Sequence, residues 1–165
     1  MNDSTTETVE NDQSALQRAV HLSQQRMQAN LGGPFGAVIM RDGVILAEGW
    51  NEVTSTNDPT AHAEVTAIRR ACAAVNDFSL QGATLYTSCE PCPMCLASAY
   101  WARISRIVYA NTREEAAAIG FDDAFIYDEM PKAPHERLIK MVHLPREDAQ
   151  AAFAAWAAKT DKIAY

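Results

Sequence analysis

The chain has 165 residues, enough for one domain that buries about 70% of its unfolded surface, so neither a metal nor a disulfide is needed merely for folding. Hydrophobic residues make up 48% and charged residues 21% of the composition, which is ordinary for a globular protein, and no apolar run has the length of a membrane span. The formal charge of −7, without a Lys/Arg cluster, favours a small or uncharged partner over a nucleic acid or a membrane.

The first residues predict a tail rather than a targeting signal. Residues 1–12 are polar and acidic, with neither the basic region nor the apolar core of a secretory signal, so we expect them to be disordered. The cytoplasm, where thiols stay reduced, is then the expected compartment. Residues 13–165 contain no internal repeat and no low-complexity linker, which predicts a single domain.

Hydrophobic periodicity and turn residues predict ten elements. The predicted helices span residues 13–30, 58–75, 91–103, 112–120 and 147–159. The predicted strands span residues 35–41, 44–50, 83–88, 106–110 and 138–144. The turn Asp42-Gly43 joins the first two strands into a hairpin, and Thr112 with Glu115 forms a capping box. The stretch at residues 121–130 has the composition of a loop.

This order of elements predicts an α/β fold, a three-layer α/β/α sandwich with a mixed five-stranded sheet. The strands at residues 83–88 and 106–110 are joined through a helix, so we expect them to be parallel. The helices at residues 58–75 and 91–103 then both start at one edge of the sheet. Open α/β sheets tend to carry their functional sites at such an edge.

Three of the four cysteines lie within the nonapeptide TSCEPCPMC at residues 87–95. Cys92 and Cys95 have a common zinc-binding spacing, and the spacing and a reducing compartment both disfavour a disulfide. His62, near another helix start, is the best third ligand, and three protein ligands leave a position for water, as in catalytic sites. Cys89 would close that position, so we interpret it as a small buried residue.

Glu64 follows His62 by two residues and predicts acid/base chemistry beside such a centre. A carboxylate that lies near metal-bound water without binding the metal can take and return a proton. Taken alone, an HxE sequence is common on helix surfaces, and a CxxC sequence can be a redox pair or two buried thiols. Neither alternative explains the two motifs together.

The sequences HAE at residues 62–64 and PCPMC at residues 91–95 resemble the HxE and PCxxC signature of zinc-dependent cytidine/deoxycytidylate deaminases. More of the chain is similar to the bacterial guanine deaminases of that superfamily. The stretches that carry this resemblance are GGPFGAVI, GWNEVTSTNDPTAHAEVTAIRRA, LYTSCEPCPMCL, GFDDAFIYDEM and the terminal tyrosine. The resemblance implies a cytidine deaminase-like fold and one Zn²⁺ per subunit, bound by His62, Cys92 and Cys95.

The resemblance also implies hydrolysis of guanine to xanthine and ammonia. Glu64 and Asp123 would be the catalytic acids, with Asp122 as the alternative to Asp123. The implied substrate-binding residues are Asn51, Ala63, Glu64, Asp123, Phe35 and Tyr165. Tyr165 would act across a homodimer whose C-terminal segment is exchanged between subunits.

A purely structural role is an alternative for several of these residues. Asn is common in turns, so Asn51 can be a turn residue, and Phe35, which opens a strand, can be a core residue. Asp123 can be a solvated loop acid or a helix cap. The functional alternatives are deamination of cytosine, isocytosine, guanosine, cytidine or a triazine, or of adenosine in tRNA. A zinc-stabilised binding module without turnover is a further alternative, against which Glu64 argues.

Overall fold

The structure, a computed structural model, describes residues 3–164, with side chains described at residue 10 and from residue 12 onward. The elements are α1 (Asp3–Gln28), β1 (Gly36–Arg41), β2 (Val44–Trp50), α2 (Val53–Thr56), α3 (Ala63–Val75), β3 (Thr84–Cys89), α4 (Pro93–Trp101), β4 (Arg106–Asn111), α5 (Arg113–Ala118), α6 (Ala124–Glu129), a 3₁₀ turn (Pro134–Glu136) and α7 (Glu147–Ala158). Within the described residues, none of these helices is both long and apolar enough to cross a membrane. The chain divides after Asp123 into two compact units.

One mixed sheet of four strands, in the order β2-β1-β3-β4, organises the first unit. β1 pairs antiparallel with β2 and with β3, whereas β3 and β4 are parallel, as predicted. The β1–β2 hairpin turns at Asp42 and Gly43, whose φ angles of 52° and 76° suit the two-residue turn that matches the twist of the strands. Because β2 and β3 are both antiparallel to β1, their C-terminal ends, which lead to α2 and α4, lie at the same edge of the sheet.

Helices cover both faces of this sheet. On one face, Val38 of β1 and Tyr86 of β3 lie in a buried cluster with Ala19 and Leu22 of α1. On the other face, Ile39 and the alternate side chains of β1 and β3 pack against α3 and α4. Because successive residues of a strand point to opposite faces, this alternation produces the predicted three layers.

Two glycines allow helices to approach the sheet closely. A Cβ atom added at Gly36 would lie 2.3 Å from the carbonyl oxygen of Ala19, and one added at Gly49 would lie 2.2 Å from the carbonyl oxygen of Ala63. Both positions therefore need a residue without a side chain. The contact at Gly49 is the more informative for function, because it fixes the first turn of α3 against β2 one residue after His62.

The predicted strand count was wrong by one, since the sheet formed by the described residues has four strands rather than five. Residues 138–144 are predicted to alternate like a strand but form no strand among the described residues, and the apolar positions 138, 139, 141, 142 and 144 do not alternate strictly. Their apolar side chains are largely exposed, with Leu138 at 77% and Val142 at 80% of full exposure. Alternation predicts which side chains share a face, but a strand also requires a neighbour with free backbone groups.

The observed limits of several helices differ from the predicted limits. Helix α1 begins at Asp3, well before residue 13, so part of the expected tail at residues 1–12 is helical. The helix expected from residue 58 begins at Ala63, after a separate turn of helix at Val53–Thr56. The expected loop at residues 121–130 contains helix α6. The expectation of one domain over residues 13–165 stays a prediction, and the chain is described as two units.

Candidate metal centre and active site

The three predicted metal ligands lie together at the starts of two helices. The imidazole Nδ1 of His62 is 3.6 Å from Cys92 Sγ and 3.5 Å from Cys95 Sγ, and the ligand atoms of all three residues lie within 4.8 Å of one another. Tetrahedral zinc, with bonds of about 2.3 Å to sulfur and about 2.05 Å to nitrogen, requires nitrogen–sulfur separations of about 3.6 Å. The donor set and its spacing therefore fit zinc.

Local helix chemistry brings these side chains to one place. His62 is the N-cap of α3 and Cys92 is the N-cap of α4, both with extended backbone, and Pro93 occupies the first turn of α4. Neither N-cap side chain bonds to its own helix, so both are available to a ligand. Cys95 is buried one turn into α4. The positive ends of the two helices favour thiolate at this position.

The two thiols differ in acidity. Contact with the Cys95 thiol, and then with His62, lowers the pKa of Cys92 to about 4. The reverse contact with Cys92, together with burial, raises the pKa of Cys95. The contact with Cys92 also raises the pKa of His62. A divalent cation that binds to these three side chains competes with protons for their donor atoms.

Glu64 lies beside this group and is not one of its three members. The side chain is buried, with Oε1 accepting a hydrogen bond of 3.0 Å from the Thr87 hydroxyl and Oε2 lying 3.4 Å from Cys95 Sγ. Burial raises the pKa of Glu64. A buried carboxylate with one oxygen anchored and the other beside a metal centre has the position required of a proton-transfer group.

Phe35 immediately precedes β1 and Asn51 immediately follows β2, so the two residues lie next to each other at one edge of the sheet. Asn51 is buried, and its Oδ1 accepts hydrogen bonds from the backbone nitrogens of Gly33 (3.2 Å) and Val53 (3.3 Å). Its backbone nitrogen donates to the carbonyl of Phe35. The Phe35 side chain is partly buried against the core on the α3 face of the sheet, and Ala63 is fully buried as the first residue of α3.

Asp123 ends the first unit close to the metal-ligand group. Burial, and then the Cys92 charge, raises the pKa of Asp123, and the Asp123 charge in turn contributes to the raised pKa of His62. Asp122 also acts on Asp123. The structure therefore brings Asp123 within electrostatic reach of two predicted ligands. Tyr165, the remaining predicted site residue, lies outside the described residues.

Two neighbours of the site are not identified by sequence analysis. Thr87, which holds Glu64, is a fully buried residue of β3, and only its hydroxyl group could have marked it in the sequence. Phe121 packs edge to face on Phe35, with ring centroids 4.8 Å apart. In the sequence, Phe121 could have been recognised as a neighbour of the site only from its position immediately before Asp122 and Asp123. Cys89 is buried as predicted, and its thiol donates to the carbonyl of Thr112.

Comparisons with known proteins agree with this geometry. Residues 9–111 match the family model for the cytidine and deoxycytidylate deaminase zinc-binding region. The guanine deaminase of Bacillus subtilis is 50% identical over 155 residues, covering 94% of this chain and 99% of that protein. Its crystal structure superposes with a TM-score of 0.90 over 93% of this chain and 98% of the other.

Two further relatives are more distant. A solved structure in complex with 2,6-diaminopurine has a TM-score of 0.65 and 30% identity, covering 68% of this chain and 62% of the other. The tRNA-specific adenosine deaminase of Agrobacterium fabrum is 43% identical over 86 residues, covering 52% of this chain and 57% of that protein. The family match confirms the predicted fold and the predicted zinc cofactor. The chain belongs to the zinc-dependent cytidine and deoxycytidylate deaminase family and, within it, groups with the guanine deaminases.

Proposed function

We propose that this protein is a cytoplasmic, homodimeric guanine deaminase that converts guanine and water into xanthine and ammonia. The observation that carries the proposal is the 50% identity with a guanine deaminase along nearly the whole of both chains. The family model ends at residue 111, whereas this similarity covers 94% of the chain and so extends far beyond the zinc-binding region. Reducing conditions in the cytoplasm would keep the four cysteines free.

His62, Cys92 and Cys95 would hold one zinc ion per chain. Zinc bound by three protein ligands supplies a Lewis acid and activates a water at its remaining position. Burial of Cys95 and partial burial of the other two ligands limit the access of bulk solvent to the donors. His62 and Cys92 would present their donor atoms from the starts of α3 and α4.

Glu64 would act as the proton carrier of the reaction. Its carboxylate takes a proton from the attacking water and delivers it to a ring nitrogen next to the carbon that loses its amino group. The Thr87 hydroxyl holds Oε1, so the carboxylate does not rotate away between the two transfers. Burial raises the pKa of Glu64, which favours its role as a group that accepts and then returns a proton.

Asn51 and Phe35 would bind the base. Both hydrogen bonds to the Asn51 side chain use its oxygen, so the amide nitrogen is the atom left to donate to an acceptor on the substrate. Phe35 offers a ring against which a planar base can stack, and Ala63 offers backbone at the first turn of α3. A donor and a stacking ring together select for an aromatic ring that carries a hydrogen-bond acceptor.

Asp123 would be the second catalytic acid. Its raised pKa and its electrostatic reach to His62 and Cys92 support a role in protonating the departing amine and in binding the edge of the purine. Tyr165 of a second copy would complete the pocket, as the resemblance to guanine deaminases implies.

A substrate panel tests the proposed function. Zinc-loaded enzyme is assayed for ammonia release from guanine, guanosine, cytosine, isocytosine, cytidine, adenine and a tRNA anticodon stem. We expect kcat/KM for guanine to exceed the others, because the similarity to a guanine deaminase extends along nearly the whole of both chains. Highest turnover of a pyrimidine, a nucleoside or the tRNA stem would assign a different branch of the same family.

The second unit supports the proposed dimer. None of its described helices contains a buried residue, and most of its large apolar side chains are exposed. The most exposed are Leu138, Ile139, Val142, Leu144, Phe153 and Ile163. This much apolar surface is covered in solution in stable proteins, and a second copy is the partner that we propose. Sedimentation equilibrium at assay concentration should give twice the chain mass, and an active monomer would refute the dimer.

A further inference from the structure

Phe121 makes a specific contact with the loop that precedes β1. Its ring meets that of Phe35 at an interplanar angle of 89°, with the centroids 4.8 Å apart. Gly33 leaves room for this pair, because a Cβ atom at Gly33 would lie 3.3 Å from Cζ of Phe121 and 3.4 Å from Cδ2 of Phe35. The Phe121 side chain nevertheless remains 45% exposed, so the core does not depend on it.

The segment that carries Phe121 is anchored first at the end of β3. The backbone nitrogen of Glu90 donates to Asn111, and the Glu90 carboxylate accepts from the backbone nitrogen of Arg113 at 3.2 Å. The Cys89 thiol donates to the carbonyl of Thr112, whose hydroxyl caps α5 in a capping box with Glu115. The start of α5 is therefore fixed to residues adjacent to the metal-binding sequence.

The far end of α5 delivers Phe121 to its contact. Gly120 has φ +94°, a conformation that favours glycine, and the backbone nitrogen of Phe121 bonds back to the carbonyl of Ala116. The chain then reaches Asp123 two residues later. Asp123 thus follows a segment held at both ends, by Glu90 and Cys89 at one and by Phe35 and Gly33 at the other.

The same loop also belongs to the base-binding group. Asn51 accepts from the backbone nitrogen of Gly33 and donates to the carbonyl of Phe35. The contact of Phe121 with Phe35 therefore joins the loop that would bind the base to the segment that would supply the second acid. A displacement of either part changes the distance between them.

We infer that Phe121 is a positioning residue that sets Asp123 against the bound base through its contact with Phe35 and Gly33. This inference rests on the proposed function, since it assigns Phe121 a part in the same reaction. A group that acts through Asp123 affects proton delivery to the leaving amine more than substrate binding. Loss of the Phe121 ring therefore lowers kcat with a smaller change in KM.

The first test replaces Phe121 with leucine. We expect kcat for guanine to fall by roughly 10- to 100-fold, as a small misplacement of a catalytic group can cause, with KM changed less than about threefold. Zinc content and melting temperature should match the wild type. The matched control is Phe78→Leu, because Phe78 has a similar exposure of 48% in the turn after α3 and is outside the site. Gly33→Ala, which crowds the same ring pair, should lower kcat in the same way.

A double-mutant cycle with Asp123→Asn decides whether Phe121 acts through the carboxylate. If it does, Phe121→Leu has little further effect in the Asp123→Asn background. An equal fold-loss of kcat in both backgrounds would overturn the inference. It would also be overturned if the wild type turned over guanine and the single variant Phe121→Leu had the same kcat. Absence of guanine turnover by the wild type would instead overturn the proposed function and with it this inference.

Discussion

Glu64→Gln is expected to lower kcat for guanine by about 10²- to 10⁴-fold, the contribution of a positioned proton-transfer group. Glutamine keeps the shape of the side chain, and its oxygen can still accept the hydrogen bond from Thr87, but it cannot take a proton from water. The free energy of unfolding should therefore change by less than about 1 kcal/mol. Steady-state kinetics, zinc analysis and denaturant unfolding of the same preparation measure the three quantities.

Glu10→Gln is the matched control for this substitution, because Glu10 is exposed on α1. It should retain the wild-type kcat. Loss of zinc from Glu64→Gln would show that Glu64 is a metal ligand, and undiminished turnover would show that another group carries the proton. Either result would contradict the assignment of Glu64 as an unligated acid/base.

Cys92→Ser should abolish both zinc retention and turnover. Serine is a preferred N-cap residue, so α4 should still begin at Pro93, while the thiolate that makes the site a good zinc donor is lost. We expect the bound metal to fall from about one zinc per chain to near none after dialysis against a chelator. Atomic absorption measures the metal, and circular dichroism measures whether the helix content is kept.

Cys72→Ser separates this effect from the general loss of a thiol. Cys72 is half-buried on α3 and donates to the carbonyl of Phe78, a bond that a hydroxyl can also make. This variant should keep its zinc and its activity. A Cys92→Ser variant that held zinc as tightly as the wild type would show that the metal is bound by a different set of residues.

Local chemistry explains why much of the fold could be predicted. Asp42 and Gly43 between two apolar runs predicted the β1–β2 hairpin, and the strands lie where the alternation placed them. Thr112 and Glu115 predicted the capping box that starts α5, and both of its bonds are present. Turns and caps depend on residues a few positions apart, so a single sequence contains the necessary information.

Features that depend on distant parts of the chain were harder to predict. Residues 138–144 are rich in apolar side chains, yet no strand forms there in the described chain, because pairing depends on a neighbour that hydrophobicity does not specify. Cap preferences predicted that α3 begins near Asp58. The helix begins instead at Ala63, whose backbone packs closely against Gly49. Tertiary packing overrode a local preference at this point.

The metal-ligand group was predictable for the same reason as the hairpin. His62, Cys92 and Cys95 occur in short motifs at helix starts. Strands β2 and β3 are both antiparallel to β1, so they run in the same direction and lead to those helix starts at one edge of the sheet. Thr87 and Phe121 were not predictable, because their importance comes from contacts with Glu64 and Phe35. Those contacts join residues 23 or more positions apart that no motif connects.

The most direct test of zinc-dependent guanine deamination is a metal titration of the wild-type enzyme. Protein stripped of metal is loaded with increasing amounts of zinc, and ammonia release from guanine is measured at each ratio. We expect no release without metal, a linear rise as zinc is added, and a break at about one zinc per chain. Guanine turnover by the metal-free chain, or no turnover at any zinc ratio, would contradict the account.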